Sequence, residues 1–265
     1  MWAFDAETGE VELGRGLETR IGGPISVVDG TIYTGSVFHS SLERGKGETY
    51  AIDTDSGAIE WIADTAPVFR STVYNGTVYA GTASGLQAID AASGAERWFF
   101  REKASLRTPV VRDETVFVEA GIQDEKIGMF AIDAKTGNEE WLFPTEPAPD
   151  RKEPVPYRLG NLIVTDDTVF GHVKYANAPP ELVAIERTGQ DVNPDDERVI
   201  REGISTRGFT LANGWLHFRE GERKDGNTTG GGNVQVIAIH KNRGGTVGIA
   251  QNRTCAREVK RDRCW

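Results

Sequence analysis

With 265 residues, 31 glycines, 11 prolines and a net charge of -10, the chain is long enough to bury a substantial core in one repetitive domain. The acidic balance argues against a general nucleic-acid binder, because neutralising phosphates requires a basic surface. No apolar run is long enough for a membrane-spanning helix, and no apolar signal core follows Met1.

In chain order, one motif recurs six times: an Ala, an apolar residue and usually an acid, followed by a short polar turn ending in Gly. The copies are Ala3-Phe4-Asp5, Ala51-Ile52-Asp53, Ala88-Ile89-Asp90, Ala131-Ile132-Asp133, Ala184-Ile185-Glu186 and Ala238-Ile239-His240. Trp61, Trp98 and Trp141 each follow the motif Asp by eight residues. From one Ala to the next the interval is 48, 37, 43, 53 and 54 residues, the range of a four-stranded propeller blade or a two-helix solenoid repeat. Between the copies run β-branched stretches flanking a turn: Ile25 to Tyr33 around Asp29-Gly30, Val73 to Tyr79 around Asn75-Gly76, Val110 to Phe117 around Asp113-Glu114, Leu162 to Phe170 around Asp166-Asp167, and Phe209 to His217 around Asn213-Gly214. Asp-Gly and Asn-Gly tolerate positive φ and favour tight primed turns, so each stretch predicts a hairpin. The Ala-apolar-Asp motif, with its Asp as turn former (Asp5, Asp53, Asp90, Asp133), predicts a second. Two hairpins per repeat make a four-stranded antiparallel blade, and sustained helical periodicity is absent.

The spacing Ala-x-Asp-x-x-Thr/Ser-Gly-x-x-x-Trp resembles the repeat of quinoprotein-type propellers, the pyrroloquinoline quinone (PQQ)-like repeats, over roughly residues 1 to 245. The resemblance implies an all-β propeller in which Trp61, Trp98 and Trp141 dock against the neighbouring blade. Leu13 stands where the first repeat would have its Trp, and no Trp follows Gly244. Six motif hairpins against five upstream hairpins give about five and a half blades, an incomplete ring expected from a truncated or mis-started sequence. As written the chain would stay in the cytoplasm, and with a missing leader it would act in the cell envelope or outside the cell. Residues 246–265 read as a separate basic tail, with Arg253, Arg257, Lys260, Arg261 and Arg263 and with Cys255 and Cys264 as free thiols.

Function is less marked. The family includes PQQ-dependent dehydrogenases, which hold PQQ with a calcium-type cation, and cofactor-free proteins of the outer-membrane assembly type, so the scaffold alone does not decide. The chain has no adjacent Cys pair, and His39, His172, His217 and His240 lack metal-ligand spacing. No catalytic, cofactor or metal residue is therefore assigned. The expectation is a non-catalytic scaffold that binds a protein or peptide through its inter-blade loops, with Ser36 to Thr49, Phe143 to Tyr157 and Arg219 to Asn233 as the contact candidates. The alternatives are a quinoprotein oxidoreductase and an anion sensor. The sensor would use arginines that precede the first strand of each upstream hairpin, namely Arg20, Arg70, Arg107, Arg158 and Arg207, ringing one mouth of the axis.

Overall fold

The computed structural model describes residues 1–17, 20–21, 25–38, 46–100, 106–119, 127–145, 156–175, 181–187, 198–202, 209–212, 215–220, 235–241 and 247–251. Every regular element among them is a β-strand. Strands β1 (Trp2–Phe4) and β2 (Val11–Gly14) form a two-stranded half blade. The first complete blade holds β3 (Arg20–Ile21), β4 (Ser26–Val28), β5 (Thr31–Phe38), β6 (Gly47–Asp53) and β7 (Ile59–Thr65), with β3 and β4 both pairing β5. The second holds β8 (Val68–Tyr74), β9 (Thr77–Thr82), β10 (Leu86–Asp90) and β11 (Glu96–Phe100). The third holds β12 (Val110–Arg112), β13 (Thr115–Glu119), β14 (Ile127–Asp133) and β15 (Glu139–Thr145). The fourth holds β16 (Pro156–Val164), β17 (Thr168–Tyr175), β18 (Glu181–Glu186) and β19 (Arg198–Glu202). The fifth holds β20 (Phe209–Ala212), β21 (Trp215–Glu220), β22 (Gln235–Lys241) and β23 (Val247–Gln251), the last of these lying beyond residue 245. Five blades and half of another are thus present, each an antiparallel meander, and no pairing among the described residues closes them into a ring.

Contacts between sheets concentrate on the first strands of the second to fifth blades, which lie against the preceding blade, so β4, β8, β12, β16 and β20 adjoin in turn on the inner side. Each interface buries the same positions. Between the first and second blades these are Tyr33, Ala51 and Ala63 with Val78, Ala80 and Ile89, joined by half-buried Trp61 and Val73. Between the second and third, Tyr79, Ala88 and Trp98 meet Val111, Val116 and Ile132. Between the third and fourth, Phe117, Ala131 and Trp141 meet Val164, Val169 and Ile185. The Ala is 0 % exposed in all three interfaces, because a larger side chain there would hold the sheets apart.

The turns have local causes. At the inner hairpins Asp29-Gly30, Asn75-Gly76 and Asp113-Glu114 both residues take positive φ, the paired left-handed conformation of a type I′ turn. Asp166 and Asp167 do not. There the Thr165 hydroxyl accepts from the Thr168 amide at 3.0 Å and donates to the Thr168 carbonyl at 2.9 Å, holding the loop without left-handed residues. The outer hairpin turns lie on the same side as the inner ones, since the amides of Thr54, Ala91, Ala134 and Arg187 donate to the carbonyls of Gly30, Gly76, Glu114 and Asp167. Through the third complete blade one side of the stack is therefore a face of tight turns, joined in the fourth blade by the longer link between β18 and β19, and the opposite side carries the other connections between strands.

In the four outer turns that carry the motif Asp, its carboxylate caps the loop. Asp53 Oδ1 accepts from the Ser56 amide (2.7 Å) and hydroxyl (2.5 Å), and Asp133 Oδ1 accepts from both donors of Thr136 at 2.7 Å. Asp5 Oδ1 accepts from the Thr8 amide at 2.5 Å. Asp90 adds the Arg97 guanidinium at 2.6 Å, which with the Ser93 bonds holds its carboxyl down at about 2. The pKa values of Asp5, Asp53 and Asp133 are also lowered, by hydrogen bonds from Thr8, Ser56 and Thr136. A depressed folded-state pKa gives stability that is present above the unfolded value and lost as pH falls through the folded one. The melting midpoint is therefore expected to hold above about pH 5 and to decline from near pH 4 towards pH 2. Asp90→Asn, which keeps an acceptor for Ser93 but not the charge facing Arg97, should flatten part of that decline. Midpoints measured by circular dichroism across this range check it, and rising stability on acidification would refute it.

Candidate functional site

Aligning the inner hairpins on their aromatics (Tyr33, Tyr79, Phe117 and Phe170) puts the arginines of the inner strands at different depths. Arg70 pairs with Gly81, two residues beyond Tyr79, and the Arg107 amide donates at 3.2 Å to the carbonyl of Glu119, two beyond Phe117. Arg158 pairs with Lys174, four beyond Phe170, and Arg20 pairs with Phe38, five beyond Tyr33. At about 3.3 Å per residue, two residues of offset separate the levels by roughly 7 Å. Arg70 and Arg107 share one level, Arg158 and Arg20 lie further out, and Arg207 lies outside the described residues. Arg20, Arg70 and Arg158 also lie within strands rather than before them, because pairing continues past the hairpin core, in regular register as far as Arg70 and through a bulge at Gly160/Ile163 to Arg158.

Arg107 is the best-defined of these groups. Its guanidinium sits 5.3 Å from the centre of the Phe69 ring, a cation–π placement. Its backbone is fixed by a crossover in which the Leu106 amide donates to Thr82 O at 3.0 Å and buried Leu106 enters the core between the second and third blades. The strand can pass so close because residue 81 is Gly: a Cβ there would lie 2.2 Å from Arg107 O. Gly35 holds the equivalent place in the first blade, where a Cβ would fall 2.4 Å from Val68 Cβ.

At the same level the third and fourth blades carry Glu119 and His172, both 1 % exposed. These two buried ionisable groups stand out only when the hairpins are aligned, where the series reads Gly35, Gly81, Glu119, His172. On the connection side the second blade is tightly closed, since Thr82 Oγ1 donates to Gly85 O at 2.8 Å and accepts from the amides of Ser84 and Gly85. Half of the first connection named as a contact candidate and most of the other two, namely residues 39–45, 146–155 and 221–233, lie outside the described residues. Cys255, Cys264 and His39 do so as well.

The tryptophans have specific surroundings. Trp61 Nε1 donates to Ala91 O at 2.9 Å, and the Tyr33 hydroxyl reaches the same oxygen at 3.3 Å. Trp98 Nε1 and the Tyr79 hydroxyl converge on Ala134 O at 3.0 and 3.1 Å. Burial pushes both phenols up, so they stay protonated as donors. Trp141 packs with its ring tilted 60° and centred 5.9 Å from that of Phe117, which has no hydroxyl to offer. Leu13 lies against Gly57 as Trp61 lies against Gly94 and Trp98 against Gly137. Among the described residues no three His, Cys, Asp or Glu side chains converge as metal ligands. The carboxylates of Asp5, Asp53, Asp90 and Asp133 are engaged in separate turns. No helix among the described residues is long and apolar enough to cross a membrane.

Comparison with known proteins fits this geometry. No curated protein matches the chain. In structure it resembles BamB from Moraxella catarrhalis at 19% identity and a TM-score of 0.57, covering 88% of this chain and 62% of that one. It resembles Kuenenia stuttgartiensis hydrazine synthase at 14% identity and a TM-score of 0.58, covering 90% of this chain and 68% of that one. A europium-containing methanol dehydrogenase aligns at 15% identity and a TM-score of 0.51, over 83% of this chain and 49% of its own. At such identities the likeness is one of fold, and the chain spans 62% of the length of the BamB structure. The family model described as outer membrane protein assembly factor BamB matches residues 1–104 and 65–195, and so most of the chain. By that match and its recurring blades, the chain belongs to the BamB-type family of PQQ-like repeat propellers.

Proposed function

We propose that this protein is a non-catalytic propeller scaffold of the cell envelope that holds a protein partner on its connection face. The observation that carries the reading is the asymmetry between the two faces. Tight hydrogen-bonded turns close one face from the half blade through the third complete blade, whereas the segments 39–45, 146–155 and 221–233 join strands at the other, where rigid strands position variable loops. Membership of a family described as an outer membrane assembly factor supports a protein partner and an envelope location. A photo-reactive residue in place of Arg70, exposed towards the connection face, is expected to cross-link to one partner in envelope fractions, and the same residue in place of turn-face Asn75 is not. Equal cross-linking from both positions, or from Asn75 alone, would overturn the assignment.

A quinoprotein oxidoreductase is the competing reading, favoured by the fold shared with a methanol dehydrogenase. Titrating the folded protein with PQQ and calcium separates the two, since an enzyme of that class binds saturably and the scaffold does not.

A further inference from the structure

The interfaces between complete blades follow one plan but are filled by side chains of different size. In each, the motif Ala and the residue two before it face the next blade, and the latter pairs with a residue of the outermost strand that faces the same way. This pair is Leu86 and Phe100 in the second blade and Met129 and Phe143 in the third. In the first blade it is Thr49 and Ala63. The opposite wall is also reduced. Ser71 stands on β8, which lies against β5 and β6, two residues before Val73, whereas Leu162 fills the core two residues before Val164.

The smaller side chains are not matched by a closer approach of the sheets. Trp61 Nε1 and Trp98 Nε1 lie 2.9 and 3.0 Å from the carbonyls they bond in the next blade, and a Cβ on Gly94 or Gly137 would lie 2.8 or 2.7 Å from the Trp Cδ2 that reaches it. Both tryptophans therefore set the same spacing, and Thr and Ala in place of Leu and Phe leave room inside. Thr49 and Ala63 are nonetheless only 0% and 8% exposed. That room is lined by hydroxyls: Thr49 Oγ1, Thr65 Oγ1 and Ser71 Oγ are buried, and none has a hydrogen-bond partner among the described residues. Ser71 pairs with Ala80, one residue beyond Tyr79, Thr49 pairs with Gly35, two beyond Tyr33, and Thr65 pairs with Gly47, two further towards the connection side. The three form a series that leads outward rather than a cluster that satisfies itself. A buried hydroxyl left without a partner is costly, and a polar cavity is ordinarily filled by ordered water.

We infer that the interface between the first and second blades holds a file of internal water on Thr49, Thr65 and Ser71, and that this hydrated seam is where the stack of blades opens. Water there replaces the dispersion contacts that Leu86, Phe100 and Leu106 make at the next interface. The third and fourth blades are further joined by ion pairs, Arg187 with Asp113 at 2.9 Å and Arg112 with Asp166. No ion pair among the described residues joins the first blade to the second. The seam is a property of the stack itself, so the inference does not depend on the scaffold reading.

Exchange of two indole protons tests it with an internal control, because Trp61 and Trp98 hold nearly equal bonds to Ala91 O and Ala134 O. In NMR of the full chain the Trp61 indole proton is expected to exchange with solvent about tenfold faster, or more, than that of Trp98. Water–protein cross-relaxation should show long-lived water at the Thr49 methyl. Thr49→Leu, which gives the first interface the residue of the second, should displace that water and slow Trp61 exchange towards the Trp98 rate. The inference fails if Trp61 exchanges no faster than Trp98, or if the Thr49 methyl of the parent protein shows no long-lived water. It fails equally if Thr49→Leu leaves Trp61 exchange unchanged or hastens it, since the interface would then have no room to fill.

Discussion

Trp98→Ala is expected to destabilise the protein by about 3 kcal/mol, since it empties an inter-blade site of its largest side chain. A finer test comes from the oxygen that Trp98 shares with Tyr79. Ala134 is 7% exposed, and its carbonyl accepts from the indole at 3.0 Å and from the phenol at 3.1 Å. Trp98→Phe or Tyr79→Phe alone removes one donor and leaves the oxygen satisfied, at about 1 kcal/mol each. Removing both leaves a buried carbonyl with neither side-chain donor, and the double variant should lose about 3 kcal/mol or more, beyond the sum of the singles. Denaturant midpoints of the four proteins measure the coupling, and strict additivity would show that the two bonds act independently. The third blade supplies a natural contrast, because Phe117 replaces the tyrosine there and its ring still packs 5.9 Å from Trp141.

Much of this architecture is legible in the sequence because the outer hairpin is specified by neighbours in the chain. An Asp that caps an amide three residues on, a Gly at positive φ and a Trp at a constant offset each act locally, so the motif announces itself whenever it recurs. The depth of the inner-strand arginines is not local. It depends on the Gly160/Ile163 bulge in β16 and on how far each first strand runs past its hairpin, which only pairing with the next strand determines. Hence five arginines that look alike by their distance from a turn separate into levels, with Arg70 and Arg107 together and Arg158 and Arg20 further out. Glu119 and His172 are harder to recognise, since an acid or a His at the end of a strand suggests a solvated position. They are nonetheless buried, at the level that Gly35 and Gly81 hold in the first two blades. The Asp166-Asp167 turn departs through a different local device: the Thr165 hydroxyl closes a loop that the other described inner hairpins, Asp113-Glu114 included, close with left-handed residues.

Two glycines with nearly the same backbone conformation are expected to respond very differently to a methyl group. Gly76 has φ 68 and Gly94 has φ 74, so alanine at either position carries the left-handed penalty of about 1 kcal/mol. At Gly76 a Cβ meets nothing within 4 Å, and Gly76→Ala should show that penalty alone. At Gly94 the Cβ would lie 2.8 Å from Trp61 Cδ2, with two further ring atoms at 2.9 and 3.0 Å. The Trp61 indole cannot retreat without giving up its 2.9 Å bond to Ala91 O and its place beside Tyr33, so the blades themselves must separate. Gly94→Ala should therefore lose a further 1–3 kcal/mol or so beyond Gly76→Ala, a difference readable as several degrees in melting midpoint. Adding Trp61→Phe to Gly94→Ala distinguishes the causes. A smaller ring should recover part of the loss if the clash is with the indole, and none of it if the backbone alone is strained. Equal destabilisation by Gly76→Ala and Gly94→Ala would mean that the tryptophan does not hold the blades at the spacing on which the stack depends.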